Sequence, residues 1–126
     1  MMRAKVHRAT VTGVNLEYEG SMSLDTKLMD ELDILPNEMV QVLNINTGAR
    51  FETYVIPGLR NSGEVALNGA AARLAQPGDK IIAVFYAQMA DSEARSHKPR
   101  VAIVDERNRT LEIRQDVQPV AANGRH

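Results

Sequence analysis

The sequence contains no cysteine and no tryptophan, and both absences narrow what the chain can do. Without cysteine it can form no disulfide, no thiolate metal site and no cysteine nucleophile. The three histidines, His7, His97 and His126, lack the i, i+4 spacing of a helical metal site, so we predict no metal centre. Aromatic residues make up only 4% of the chain, which predicts a core of aliphatic side chains and methionine.

The chain also lacks an excess of charge and a long apolar run. Its formal net charge is −1 over 126 residues, so we expect neither a nucleic acid nor an anionic membrane as a partner. The first residues lead into alternating polar and apolar positions, which predicts neither a signal peptide nor a membrane span and favours the cytoplasm. The length fits a single domain over residues 1–126.

Short alternating segments between turn residues predict a mainly β protein. Residues 3–18 predict a strand interrupted at Gly13, and residues 80–86 predict a central strand buried on both faces. Other strands are predicted at 39–45, 50–56, 64–67, 100–104 and 110–113, with helical turns at 25–33, 70–75 and 91–95. Many short strands with short helices are typical of a small β-barrel. The polar residues 116–126 predict a flexible tail.

Four short segments carry the candidate chemistry. They are residues 5–8 (KVHR), 18–21 (YEGS), 46–54 (NTGARFETY) and 65–72 (VALNGAAA). Each alone has an ordinary structural explanation: a Gly-Ser turn before a helix capped by Ser or Asp, a solvated arginine, a strand tyrosine, or an asparagine N-cap. In this order and spacing, however, the four together resemble the pyruvoyl-dependent aspartate 1-decarboxylase family.

The resemblance extends from about Lys5 to Pro99. It implies a small six-stranded double-psi β-barrel and a homotetramer. The implied activity is a carboxy-lyase reaction that converts L-aspartate to β-alanine and CO2 for pantothenate biosynthesis. Met22-Ser23 stands where some members carry cysteine, and Leu43 stands where some carry tryptophan. Because the chemistry needs neither residue type, we expect a changed lining rather than a lost function.

Decarboxylation of an α-amino acid leaves an electron pair on Cα, and this requires an electron sink. The sequence shows no phosphate cradle for pyridoxal phosphate. The resemblance implies instead a covalent pyruvoyl group derived from Ser21, which holds the substrate as a Schiff base. In this family the chain cleaves itself between Gly20 and Ser21, which implies a β chain of residues 1–20 and an α chain of residues 21–126. We expect Gly20 to leave the attacked carbonyl uncrowded and to permit an unusual backbone conformation.

The resemblance also implies roles for other residues. Tyr54 is the expected proton donor, and Thr53 is expected to polarise the Gly20 carbonyl and later to contact substrate. Asn68 is expected to assist processing. The predicted substrate contacts are Thr53, Arg50, Lys5, Gly69, Ala70 and Ala71. The last three open a helix whose free N–H groups and small side chains suit a carboxylate.

Strand parity bears on how these residues meet. Arg50 and Tyr54 share one face of the predicted strand, and Thr53 lies on the other. One pocket can use all three only if a bulge intervenes or neighbouring subunits share sites, so we expect active sites at subunit interfaces. Lys5 and His7 share one face of another strand, where they could add positive charge for a dianionic substrate. Lys5 matches the lysine of the family, whereas for His7 an exposed position on a half-buried strand is an equally good explanation.

Two alternatives remain open at this point. The first is an uncleaved, catalytically silent relative with the same barrel, which acts as a binding or assembly module. The presence of Gly20, Ser21, Thr53 and Tyr54 together argues against it. The second is a small β-barrel that binds nucleic acid, and the net charge of −1 and the few aromatic residues argue against that.

Overall fold

The computed structural model describes residues 1–115, so the predicted tail at 116–126 lies outside the described residues. The helices are α1 (Thr26–Glu31), α2 (Asp91–Arg95) and a 3₁₀ helix (Gly69–Leu74). The strands are β1 (Met2–Thr10), β2 (Gly13–Asn15), β3 (Ser21–Asp25), β4 (Met39–Asn44), β5 (Arg50–Gly58), β6 (Val65–Asn68), β7 (Lys80–Tyr86), β8 (Arg100–Val104) and β9 (Thr110–Arg114).

The strands form one sheet in the order β2-β6-β3-β5-β4-β7-β1-β8-β9. Strand β3 lies between β5, to which it is parallel, and β6, to which it is antiparallel. Strand β1 pairs antiparallel with β7 and parallel with β8. The prediction of a mainly β fold with short helices is confirmed, and the architecture is consistent with a small β-barrel. The sheet has nine strands; six of them, β6 to β1 in this order, are flanked by β2 at one end and by β8 and β9 at the other.

The core is aliphatic, as the composition predicts. The side chains of Val6, Val40 and Val42 are completely buried, and Phe85 is a fully buried aromatic residue. Strand β7 lies between β4 and β1, and four of its seven residues are buried, so the expectation of a central strand is confirmed. Burial of these side chains is the main favourable contribution to folding.

The predicted strand over residues 3–18 is too long at its C-terminal end. Strand β2 ends at Asn15, and the Asn15 side-chain oxygen accepts a hydrogen bond from Glu17 N at 3.1 Å, which closes a turn. Val14, Leu16 and Tyr18 are 38%, 51% and 53% exposed. Apolar and polar residues continue to alternate after Asn15, but no described strand packs against residues 16–18. The alternation therefore does not lengthen β2.

Residues 21–25 are a strand, where the sequence predicts a turn leading into a helix. Every residue of β3 is buried between its two neighbouring strands. Asp25 then starts α1, since its carboxylate accepts from Lys27 N at 2.9 Å, which confirms an acidic N-cap at this place. The same carboxylate accepts from Asn61 N and Gly63 N, both at 2.9 Å, and so ties the start of α1 to the loop between β5 and β6.

Candidate active site

Ser21 lies where an exposed loop enters the core. Residues 14–19 are exposed, whereas the Ser21 side chain is completely buried. Its hydroxyl donates to the Glu19 carbonyl at 3.1 Å and accepts from the Asn68 side-chain amide at 2.9 Å. A donor and an acceptor thus fix the hydroxyl orientation at a point where the backbone beside it remains accessible.

Asn68 is held opposite Ser21 by the sheet. It ends β6 and pairs with Ser21 in the antiparallel β3–β6 ladder. Its buried amide nitrogen also donates to the Ser23 hydroxyl at 3.1 Å. Although Asn68 precedes the 3₁₀ helix, its side chain makes no capping hydrogen bond, so the alternative that it is an ordinary N-cap is wrong. The amide is instead directed at two serine hydroxyls.

Gly69 is the glycine whose conformation this site requires. Its φ is +63°, and a Cβ there would lie 2.6 Å from both Cα and N of Gly20 and 2.9 Å from the Tyr18 carbonyl oxygen. Gly20 itself has no positive φ, and a Cβ there would meet nothing within 4 Å. The open space at Gly20 agrees with the expectation of an uncrowded carbonyl, and the unusual backbone conformation stays a prediction, since no steric constraint lies there. The constraint belongs to Gly69, which must lack a side chain so that residues 18–20 can cross it.

Thr53 and Tyr54 lie alongside this site on β5. Met22 pairs with Val55 in the parallel β3–β5 ladder, so Tyr54, one residue before Val55, lies beside Ser21, and Thr53 precedes it on the same strand. Both side chains are half-buried. Tyr54 lies opposite the exposed Met39 and Thr53 opposite the buried Val40, and the β4–β5 ladder has no bulge. The two side chains therefore project to opposite faces, and a bulge does not bring them together.

Arg50 and Lys5 do not lie beside Ser21 in this chain. Arg50 is exposed at the start of β5, four residues before Tyr54, which is about 13 Å along a strand. Lys5 is on β1, and β5, β4 and β7 separate that strand from β3. The structure thus brings Gly20, Ser21, Asn68 and Gly69 together, with the exposed Ala70 and buried Ala71 directly after them. The two predicted cations lie elsewhere.

His7 does not supply the positive charge that it could have added. Burial lowers its pKa below the usual 6.5, and the positive charges of Lys5, Arg8 and Arg114 lower it further. The imidazole is therefore mostly neutral at pH 7. Lys5 and Arg114 are the cations beside it.

Sequence reasoning missed Ser23, which shares the Asn68 amide with Ser21. A pattern that could have found it is present, because Ser21 and Ser23 alternate with the apolar Met22 and Leu24. This period of two is typical of a strand and puts both hydroxyls on one face. The nearby Gly-Ser pair favours a turn and hides the alternation.

Residues 1–115 also bear on metal sites, membrane spans and cavities. In that range no three histidine or acidic residues are grouped so that they could hold a metal ion. None of the helices there has the length and apolar character needed to cross a bilayer. A shallow cavity of about 310 Å³ lies between the β4–β5 turn and the end of the 3₁₀ helix, with Arg73 and Asp79 in its wall.

Comparison with known proteins identifies the family. The sequence profile of the family described as aspartate decarboxylase matches residues 1–111. The chain belongs to the aspartate decarboxylase family. The resemblance predicted from the four segments is confirmed, and the family match extends beyond Pro99 to residue 111.

Individual members of the aspartate decarboxylase family are similar over most of their length. The chain is 59% identical to the aspartate 1-decarboxylase of Pelotomaculum thermopropionicum over 115 residues, which cover 91% of this chain and 87% of that one. It is 58% identical to that of Thermoanaerobacter pseudethanolicus, with 90% and 97% covered. Identity to that of Bacillus subtilis is 56%, with 86% of each chain covered.

Proposed function

We propose that this chain is a self-processing, pyruvoyl-dependent enzyme that decarboxylates L-aspartate to β-alanine and CO2, a step of pantothenate biosynthesis in the cytoplasm. One observation carries the proposal: the buried Ser21 hydroxyl is held between the Glu19 carbonyl and the Asn68 amide. It occurs in a family whose similar members are named aspartate 1-decarboxylase. An uncleaved binding module, which is the alternative, does not need a serine hydroxyl that is buried and oriented in this way.

Processing begins when Ser21 Oγ attacks the carbonyl carbon of Gly20. The peptide C–N bond breaks, the hydroxyl proton passes to the released amine, and an ester replaces the amide. β-Elimination then frees the Gly20 carboxylate and leaves dehydroalanine at position 21, which takes up water and releases ammonia to become pyruvoyl. The hydrogen bond to the Glu19 carbonyl orients the Oγ lone pairs before attack. Thr53, two residues before the Val55 that pairs with Met22, polarises the attacked carbonyl.

The residues around position 21 fit a pyruvoyl group. Asn68 lies opposite residue 21 in the β3–β6 ladder, with its amide nitrogen 2.9 Å from the attacking Ser21 hydroxyl oxygen, and Gly69 leaves room for the backbone that is cut. The group itself supplies an electron sink for the substrate's Cα, which no protein side chain provides. The β3–β6 ladder, in which residue 21 pairs with Asn68, holds the position of residue 21 after cleavage. The loop before it becomes the free end of the 1–20 chain.

The remaining steps fall to residues beside and beyond Ser21. Tyr54, level with position 21 and half-buried, returns a proton to Cα after CO2 leaves. The backbone N–H groups of Gly69, Ala70 and Ala71 receive a substrate carboxylate.

Arg50 and Lys5 bind substrate through charge-assisted hydrogen bonds in this proposal. Because both lie away from Ser21 within one chain, we propose that neighbouring copies in a homotetramer contribute them. The opposite directions of Thr53 and Tyr54 support sites shared in this way.

The mass of the denatured protein tests the proposal. We expect two fragments, residues 1–20 and residues 21–126, in place of one chain of 13.9 kDa. Borohydride with aspartate should add mass to the larger fragment only. Ser21→Ala should stay intact and inactive, whereas the matched variant Ser96→Ala, at the exposed end of α2, should cleave normally. Wild-type protein that stays intact after prolonged warming would support the silent relative instead.

A further inference from the structure

Ser23 lies two residues after Ser21 on β3 and on the same face of the strand, because successive side chains of a strand point to opposite faces. Ser23 is buried, and its hydroxyl accepts a hydrogen bond from the Asn68 amide nitrogen at 3.1 Å. The same nitrogen donates to the Ser21 hydroxyl at 2.9 Å. One amide group thus joins two buried serines, and the proposed mechanism uses only the first of them.

The hydrogen-bonding pattern fixes the direction in which the Asn68 amide faces. The Ser21 hydroxyl has one hydrogen and donates it to the Glu19 carbonyl, so its oxygen can only accept from Asn68. An asparagine amide nitrogen carries two hydrogens, and Ser21 and Ser23 accept one each. Since the amide oxygen cannot donate, the NH₂ group must face the two serines.

Two acceptors hold this amide more firmly than one. The last torsion angle of an asparagine side chain has a broad energy profile, so an amide with a single hydrogen bond can turn about that bond. Strand pairing places the Asn68 backbone opposite Ser21 but leaves this torsion free. The 3₁₀ helix that follows adds no constraint, because the Asn68 side chain makes no capping hydrogen bond. The second constraint comes from Ser23.

The position of Ser23 is itself fixed by the sheet. It is paired with residues of both β5 and β6, so strands flank it on two sides. Its neighbours Met22 and Leu24 project to the opposite face and are completely buried in the core. None of these contacts includes the Gly20–Ser21 bond, so Ser23 is held in the same place throughout the proposed cleavage.

We propose that Ser23 is a positioning residue for self-cleavage: its hydroxyl holds one hydrogen of the Asn68 amide, so that the other hydrogen stays directed at Ser21 Oγ. This oxygen gains negative charge when elimination releases the Gly20 carboxylate, and an N–H already directed at it stabilises that charge without reorganisation. The inference rests on the proposed function, since it concerns cleavage of the Gly20–Ser21 bond. Ser23 acts through Asn68 and takes no part in bond making or breaking.

The test compares Ser23→Thr with Ser23→Val. Threonine and valine have nearly the same shape, but only threonine has a hydroxyl, so the pair separates the hydrogen bond from the added methyl group. We expect Ser23→Val to slow self-cleavage, followed by mass over time, about tenfold relative to Ser23→Thr, because one buried hydrogen bond is lost. Variants that cleave at equal rates would overturn the inference.

Thr26→Val is the matched control. It removes a half-buried hydroxyl that donates to the Gly58 carbonyl, just beyond the other end of β3 from Ser21. This variant should lower the midpoint of urea unfolding and leave the cleavage rate unchanged, which is the result expected for a hydroxyl with a purely structural role. Ser23→Val should differ from it by lowering the cleavage rate.

A second measurement needs no cleavage, because it uses the intact Ser21→Ala background. There, NOEs from the two Asn68 amide hydrogens report which groups they face. We expect contacts with position 23 in Ser21→Ala/Ser23→Thr and their loss in Ser21→Ala/Ser23→Val, and identical NOEs in both would overturn the inference. A wild-type protein that does not cleave would count against the proposed function alone, since this comparison still decides whether Ser23 positions Asn68.

Discussion

The Ser21–Asn68 pair and the group of Lys5, His7 and Arg114, the basic cluster, are both polar groups on the same sheet, but they differ in how many of their hydrogen-bonding atoms have partners. The pair is neutral and buried, and the serine hydroxyl has both a donor and an acceptor. The basic cluster is charged and half-buried, and two of its nitrogens lack acceptors among residues 1–115. Buried polar groups are normally paired, so the first region is satisfied by the chain alone and the second is not.

This difference separates two tasks. Folding of one chain already brings Asn68 to Ser21 beside the Gly20–Ser21 bond, because β3 and β6 are neighbours in one sheet. Recognition of a charged substrate needs cations, and cations are costly to bury before their counter-charge arrives. We infer that processing depends on the single chain, whereas substrate binding depends on the ligand and a neighbouring copy.

The largest expected effect is at Gly69. An alanine there would combine a positive φ with a Cβ 2.6 Å from Gly20 backbone atoms, so the crossing residues must move. We expect Gly69→Ala to slow self-cleavage by more than about 100-fold, since displacements near 1 Å at a reacting centre have effects of this size. Gly13→Ala is the matched control, because a Cβ on β2 meets nothing within 4 Å. Equal cleavage rates, measured by mass over time, would contradict the role of Gly69.

The variant Tyr54→Phe tests whether the phenol beside the Ser21–Asn68 pair acts only after self-cleavage. Tyr54→Phe should cleave like the wild type but lose about 10²–10⁴-fold in kcat, the usual contribution of a general acid. Tyr86→Phe is the control, since the exposed Tyr86 hydroxyl donates to the Gln41 side chain across the β4–β7 pair, away from Ser21. Slow cleavage in Tyr54→Phe would instead assign the phenol to processing.

Asn68→Ala removes the amide from two buried hydroxyls. We expect self-cleavage to slow by about 10²–10³-fold, as when an oxyanion donor is lost elsewhere. Asn44→Ala also removes a buried amide, which bonds the Leu74 carbonyl and Asp79, but it lies away from Ser21. This control should lose stability and keep the cleavage rate. Comparing unfolding midpoints with cleavage rates in both variants separates the two effects.

The smallest expected effect is the pH dependence of stability at His7. Since its pKa is lowered in the folded state, the unfolded chain binds more protons below about pH 6.5. The free energy of unfolding should therefore fall as the pH drops from 6.5 towards the folded pKa, and then level off. In His7→Gln this part of the dependence should be absent. Urea unfolding at pH 7.5 and pH 5 measures it; an unchanged slope in the variant would rule out this contribution of His7.

Much of the fold was predictable because local patterns agreed with it. The turn residues Asn46 and Gly48 between two alternating segments predict the β4–β5 hairpin. The apolar run at 80–86 predicts the buried strand β7. Strand β3 was missed because the Gly20-Ser21 pair favours a turn, while the two partners that make it a strand come from other parts of the chain. The turn after Asn15 was missed for the opposite reason, since its alternation has no partner strand to cover it.

For the site, the sequence by itself determined the chemistry: a serine after glycine, an asparagine before glycine, and a tyrosine and cations at matching spacings. Residue types and their order along the chain are fixed by the covalent structure alone. Only the tertiary structure decided that Asn68 faces Ser21 rather than capping a helix, and that Gly69 rather than Gly20 bears the backbone constraint. It also joined Lys5 and Arg114, from opposite ends of the described chain, into one row. The physical reason is that strand pairing and burial choose each group's neighbours through contacts between residues far apart in sequence.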